Sequence, residues 1–288
     1  MDVLDRLIDL ALDEDLGAAG DITTQALQLG TQPGRGELWA KEPMVVAGLD
    51  AFARVFRRVD PELAVAAQAR DGDEVVQPRA IAIVSGRLAS LLAGERLALN
   101  LVQRTSGIAT ATRRAVQALA GSPVKLLDTR KTPPGMRQLA KAAVRAGGGA
   151  NHRFGLFDGI LIKDNHIAAV GGSVGEALRR ARANAPRLVK IEVEVTSLEQ
   201  LEEAVAAGAH ICLLDNMSDE RIRDAVRLAR GRVALEVSGG VTLERLPLIA
   251  ALGVDYVSMG ALTHSAPAVD LSFEVALGDP AGRSSPQR

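Results

Sequence analysis

Between positions 128 and 166 the chain reads DTRKTPPGMRQLAKAAVRAGGGANHRFGLFDGILIKDNH, and basic side chains recur throughout: Arg130, Lys131, Arg137, Lys141, Arg145, Arg153 and Lys163. Only Asp128, Asp158 and Asp164 oppose them, in a chain whose formal net charge is −1. A cationic excess confined to one stretch of a near-neutral protein concentrates a field suited to a small polyanion. Arginine adds direction, because its planar fork can hold a carboxylate or phosphate through two parallel hydrogen bonds. Arg130 and Lys131 follow the apolar run at 124–127, and Lys163, Asp164, Asn165 and His166 follow the one at 159–162. Both sets stand just past buried strands, where parallel α/β folds build their sites. Gly147, Gly148 and Gly149 lead into Asn151, His152 and Arg153, and such a run lets a backbone turn tightly or approach a ligand. Arg137, Lys141 and Arg145 recur at helical spacing and read as a solvated helix face.

The elements that must position these groups follow from periodicity. From Pro123 onward, short apolar runs at 124–127, 159–162, 188–195, 211–214, 233–237 and 254–258 alternate with helical segments. That alternation is the signature of βα units and a parallel sheet. Each run ends in polar or glycine residues, which predicts an incomplete or open, TIM-like (β/α) barrel with its site at the carboxyl-terminal rim. An open doubly wound sheet is the alternative. Upstream, residues 3–12 carry a helical apolar stripe ended by Gly17, 15–24 reads as a loop and 50–59 as a helix. Residues 36–48, 63–69 and 80–84 read as strands. RDGDEVVQPRAIAIVSG resembles the turn-and-strand pattern of biotinyl/lipoyl-type sandwich domains. No lysine lies between Glu42 and Pro123, so a structural sandwich is expected and a swinging-arm carrier is not. Helices are expected over 87–103 and 108–120, with an end at Arg104, Thr105, Ser106 and Gly107. The chain therefore divides into an N-terminal α+β sandwich domain (1–115), the barrel (116–275) and a mobile tail (276–288).

Composition sets outer limits. Aromatic residues are 2% of the chain, too few for the stacking platforms of single-strand nucleic-acid binders. The charge balance argues against a nucleic-acid or membrane surface. Cys212 is the sole cysteine, so a disulfide framework or cysteine metal cluster is excluded and a buried inert thiol is expected. The opening MDVLDRLIDLALDED is acidic and amphipathic, unlike a signal peptide, and no apolar run approaches a membrane span; a cytoplasmic protein is expected.

DTRKTxPGxR, GGGxNHRxGLxD and KDNH, in this order, resemble the quinolinate phosphoribosyltransferases, decarboxylating enzymes of de novo NAD synthesis, and the similarity spans nearly the whole chain. The resemblance implies two substrates, quinolinate and phosphoribosyl pyrophosphate, and three products: nicotinate mononucleotide, diphosphate and carbon dioxide. It implies that Arg130, His152, Arg153 and Lys163 bind quinolinate, joined by an Arg104 contributed by a neighbouring subunit, with Thr129 also among the substrate-binding residues. A homodimer with shared sites follows, with a hexamer of three such dimers left open. Lys131, Glu194 and Asp215 would handle the phosphoribosyl partner, with Mg²⁺ held mainly through diphosphate and weakly by Glu194 and Asp215. Of these residues, Lys131, Lys163, Glu194 and Asp215 would act in the chemistry.

Strand parity can be read beside that resemblance. Lys190, Glu192 and Glu194 share one face of their strand, and a buried carboxylate needs a partner. An internal salt bridge with Lys190 suits Glu192, while Glu194, nearest the rim, is the functional candidate. Asp215 has the parity of Ile211 and Leu213 and should point inward at the rim, where it could meet ribose hydroxyls or Mg²⁺. Ser218 is the better cap for the next helix. Ser238, Gly239 and Gly240, and likewise Gly260 and Ala261, follow the last two strands, where backbone N–H groups commonly hold a phosphate. His210 and His264 read as structural. A Schiff-base lyase using Lys163 and a binding protein retaining the scaffold are the competing readings; Arg130, Lys131 and Arg153 suit a dicarboxylate better than a lyase, and the intact NHR and KDNH motifs weigh against a non-catalytic relative.

Overall fold

The computed structural model of the chain describes residues 2–277. Two compact units form: within the described residues one comprises 2–111, 133–148 and 266–277, the other 112–132 and 149–265. Both are discontinuous, whereas the sequence suggests continuous ranges. Of the tail expected from 276, Ala276 and Leu277 belong to a strand, and the remainder lies outside the described residues. Among the described residues no helix is long and apolar enough to cross a membrane.

The first unit opens with α1 (Val3–Leu16), which buries Leu4, Ile8 and Leu12 and is started by a reciprocal Asp2–Asp5 capping box. The stretch expected as a loop contains a short helix, α2 (Ile22–Ala26), because Asp21 accepts the amides of Thr23 and Thr24. There follow β1 (Pro33–Ala40), β2 (Met44–Val45), α3 (Leu49–Val59), β3 (Ala64–Ala67), β4 (Glu74–Val75), β5 (Arg79–Arg87), α4 (Leu88–Ala118), of which residues through 111 belong here, and later α5 (Arg137–Ala146) and β12 (Leu271–Leu277). An antiparallel sheet runs β12-β1-β5-β3, and β2 pairs with β4. Three of the chain's five phenylalanines, Phe52, Phe56 and Phe273, meet with ring centroids 4.9–6.0 Å apart, a specific addition to a core otherwise built of aliphatics.

Two local expectations are corrected here. The helix end expected at Arg104–Gly107 is absent, and α4 runs unbroken for 31 residues. Thr105 Oγ1 donates to the carbonyls of Ala47 and Leu101, and Ser106 Oγ accepts the Ala47 amide. A Cβ at Gly107 would overlap the carbonyl oxygen of Pro267. The polar and small residues that resembled a stop are instead contacts with distant chain. Lys141, expected on a solvated face, is 2% exposed and lies among the buried Leu139, Ala140, Ala143 and Val144 of α5.

The second unit is a βα alternation: β6 (Lys125–Leu127), β7 (Ile160–Ile162), α6 (Asp164–Ala169), α7 (Val174–Asn184), β8 (Ile191–Val195), α8 (Leu198–Ala206), β9 (Ile211–Asp215), α9 (Asp219–Ala229), β10 (Ala234–Ser238), α10 (Leu246–Ala250), β11 (Tyr256–Ser258) and α11 (Ala261–His264). All six strands expected from the apolar runs are present and parallel, in the order β6-β11-β10-β9-β8-β7. The sheet is barrel-like and open, with β6 and β7 at its edges. β8 begins at Ile191 rather than 188, because Pro186 and Val189 close a turn that leaves Leu188 exposed. The faces alternate as parity requires. Ile191, Val193, Val195, Cys212 and Leu214 pack outward in one core with Leu178 of α7, Leu201 of α8 and Ile222 of α9, each such burial contributing about 1.5–3 kcal/mol. Burial, and second the charge of Glu192, push the Cys212 thiol up to about 12, so it stays a packed thiol.

One buried charge in the first unit ties stability to pH. Asp60, 1% exposed, accepts from Arg87 Nε and Ser90 Oγ at 2.8 Å and from the Glu62 amide at 3.0 Å. The Arg87 hydrogen bond, opposed by burial and aided by Ser90, holds its carboxyl well below the usual range. A folded-state pKa below the unfolded one contributes stability above the unfolded value and loses it as pH falls. Asp60→Asn should cost about 2 kcal/mol near neutral pH, kept modest because Arg87 is exposed. In urea melts this deficit relative to wild type should shrink as pH falls below the ordinary carboxylate range.

Candidate active site

The cationic motifs are placed by the open seam of the barrel. Ala150 forms a parallel bridge with Leu127 of β6, its amide donating to Leu126 and its carbonyl accepting from Asp128. That bridge carries Asn151, His152 and Arg153 to the edge of the sheet. Asp128, fully buried just after β6, accepts Asn151 Nδ2 at 2.6 Å and the His152 amide at 2.9 Å. Two hydrogen bonds from the DTRK segment thus orient the NHR segment.

A cavity of about 470 Å³ opens at the carboxyl ends of the strands, lined by Thr129, Arg130, Lys131, His152, Arg153, Lys163, Glu194, Asp215, Ser238, Gly239 and Gly240 among others. All of these were singled out from the sequence. Lys163 Nζ donates to Glu194 Oε2 at 2.7 Å, across the β7–β8 neighbours. Asp215 points inward as parity requires and accepts Asn216 Nδ2 at 2.8 Å, while Ser218 caps α9. Arg153 Nη1 donates to the Gly159 carbonyl at 3.0 Å. Burial, and next the charge of Arg130, lower the Arg153 guanidinium from its ordinary value. Two guanidiniums that repel across one cavity are a site whose energy falls when an anion enters.

Gly239 has φ +88° and a Cβ there would strike the Asn216 side chain, so this rim turn requires glycine. Asn216 itself is left-handed, φ 52°, a conformation asparagine tolerates, and its amide donates to the Ser238 carbonyl.

Gly260 and Ala261 do not line the cavity. Gly260 instead gives room to Lys131, whose Cδ would stand 2.9 Å from an added Cβ, and Thr263 Oγ1 donates to the Lys131 carbonyl. Arg104 lies on α4 within the first unit and donates to the Ala266 carbonyl. His210 accepts the Ile191 amide, and His264 meets its neighbour Ser265; both are structural contacts. Glu192 does not use Lys190: its carboxylate is 3.1 Å from His152 Nε2. Glu236, 3.7 Å from the same nitrogen, was missed by sequence reading. Its register with Leu213 gives it inward parity, which was the available signal, as was the Asp-Asn pair for Asn216. Burial, then the charge of Glu192, raise the Glu236 carboxyl.

Carboxylate oxygens at the strand ends are the hard donors that Mg²⁺ takes, and Glu194 and Asp215 supply them within this cavity. Comparison with known proteins accords with the geometry. Residues 21–106 match the family described as quinolinate phosphoribosyl transferase, N-terminal domain, and 108–274 its C-terminal domain. The chain is 46% identical over 276 residues to a probable nicotinate-nucleotide pyrophosphorylase (carboxylating) of Bacillus subtilis, covering 96% of this chain and 94% of that one. It is 44% identical to the nicotinate-nucleotide pyrophosphorylase (carboxylating) of Mycobacterium leprae, over 92% and 94% of the two chains. The crystal structure of NadC from Streptococcus pyogenes superposes with a TM-score of 0.91 at 44% identity, over 96% and 97%. With both halves matched and the cationic motifs gathered in one cavity, the chain belongs to the quinolinate phosphoribosyltransferase family.

Proposed function

We infer that this chain transfers the phosphoribosyl group of phosphoribosyl pyrophosphate to quinolinate with decarboxylation, yielding nicotinate mononucleotide, diphosphate and carbon dioxide for NAD synthesis. The observation that carries the reading is the gathering of Arg130, Lys131, Arg153 and Lys163 with Glu194 and Asp215 around one cavity. Quinolinate bears two adjacent carboxylates on a pyridine, and the arginines suit paired anions. The pyridine nitrogen forms a bond to the ribose anomeric carbon as the bond to diphosphate breaks. Glu194 and Asp215 stabilise the positive character that develops on the sugar, and Lys131 the charge on the departing diphosphate. Loss of the carboxylate beside the quaternised nitrogen leaves an electron pair that the ring nitrogen stabilises until a proton replaces it. No covalent enzyme intermediate is required. Glu194 and Asp215 would help to hold Mg²⁺, which when bound neutralises diphosphate charge. The rim at Ser238, Gly239 and Gly240 is suited to the 5′-phosphate.

Against the lyase reading stands the bond from Lys163 to Glu194: a carboxylate partner suits an ammonium, whereas a Schiff-base nucleophile must be a free amine.

Release of labelled carbon dioxide from carboxyl-labelled quinolinate tests the function. It should require phosphoribosyl pyrophosphate, and a nucleotide product retaining both carboxylates would contradict the reading. The same proposal includes a homodimer with shared sites, supported by the family resemblance at Arg104. Arg104→Ala and Lys163→Ala proteins, each inactive alone, should recover about a quarter of wild-type activity after random subunit exchange, since half the dimers are mixed and each then holds one intact site. Continued inactivity after verified exchange would remove the shared site.

A further inference from the structure

Two buried carboxylates of the second unit, Glu192 and Glu236, have no role in the chemistry above, and both face the half-buried His152. The structure presents their ligand atoms within 4.8 Å of one another, and Glu192 and Glu236 are 5% and 1% exposed. One oxygen of each, Oε1, has no hydrogen-bond partner. A second cavity of about 240 Å³ adjoins them, and His152, Arg153 and Glu236 line both cavities.

One histidine and two carboxylates make a donor set that a divalent cation could take, but the hydrogen bonding of the imidazole argues against one. Its Nδ1 accepts the Arg153 backbone N–H at 2.7 Å, so that nitrogen carries no proton. The proton of the neutral ring is therefore on Nε2, which faces Glu192 Oε2 at 3.1 Å. A metal on Nε2 would move the ring proton to Nδ1, setting two N–H groups against each other. Metal-bound histidines normally present their second N–H to an acceptor, and here that position holds a donor.

We propose that Glu192 is a positioning residue: by accepting the Nε2–H of His152 it fixes the tautomer whose Nδ1 holds the Arg153 backbone, and so sets the arginine that grips the substrate. The proposal rests on Arg153 being a substrate anchor. Glu236 lies farther from Nε2, at 3.7 Å against 3.1 Å for Glu192, so Glu192 is the nearer acceptor. The chain of control runs from a buried strand residue, through one imidazole, to the backbone of a cavity-lining cation. His152 then acts on Arg153 through its orientation, both ring nitrogens meeting protein partners.

The test is nitrogen-15 NMR of the imidazoles in the substrate-free, full-length wild-type enzyme near neutral pH, with His152 assigned by loss of its signals in His152→Gln. A protonated Nε2 with an unprotonated Nδ1 is expected. An imidazolium or the Nδ1–H tautomer would overturn the proposal, as would a tightly held, stoichiometric manganese or zinc ion lost in His152→Gln. Kinetics supply a second readout. Glu192→Leu should raise KM for quinolinate about tenfold with kcat within about threefold, and Glu192→Gln, whose amide oxygen still accepts Nε2–H, should recover most of it. Equal losses in the two variants, or an unchanged KM in Glu192→Leu, would also overturn it. The underlying reading fails separately: if Arg153→Ala leaves KM for quinolinate unchanged, Arg153 is not the anchor, whatever the tautomer of His152.

Discussion

Like charges gathered in a partly buried cavity are the constraint on which the second unit depends. Arg130, Lys131, Arg153 and Lys163 line a common space, and Arg153 registers both its burial and its neighbour Arg130. Such a cluster raises the energy of the empty fold and lowers it when a polyanion arrives. The scaffold must therefore hold the groups against their own repulsion. It does so with local anionic and backbone partners: Glu194 for Lys163, Gly159 for Arg153, and the buried Asp128 for the segment that carries His152.

The device that makes this affordable is the two-residue period of the strand. On β8 and β9, one face supplies Ile191, Val193, Val195, Cys212 and Leu214 to the core, while the other presents Glu192, Glu194, Leu213 and Asp215 inward. Depth along the same strand then separates roles. Glu194 and Asp215, near the carboxyl ends, reach the larger cavity, whereas Glu192, deeper, meets His152. A shift of one residue in register would send every one of these carboxylates into the helix-packed core.

Much of this was legible before any coordinates. The six parallel strands, the rim positions of Arg130, Lys131 and Lys163, and the inward parity of Glu194 and Asp215 all follow from short-range pattern, because strand alternation and βα order are local properties. What escaped were features whose partners lie far away in sequence. Thr105, Ser106 and Gly107 resemble a helix stop until Ala47 and Pro267 are seen against them. Lys141 has helical spacing with Arg137 and Arg145, yet the core of its unit closes over it. Glu192 was given Lys190 as a partner from adjacency, and its contact is His152, a residue forty positions upstream. Glu236 has the readable parity of its strand but no motif to draw attention to it.

The central claim is that this cavity is built for two adjacent carboxylates. Direct calorimetric binding of quinolinate and of nicotinate, which lacks the second carboxylate, tests it without any dependence on turnover. Quinolinate should bind tighter by about tenfold or more, the worth of a charge-assisted hydrogen-bonded pair. Equal affinities would contradict the account.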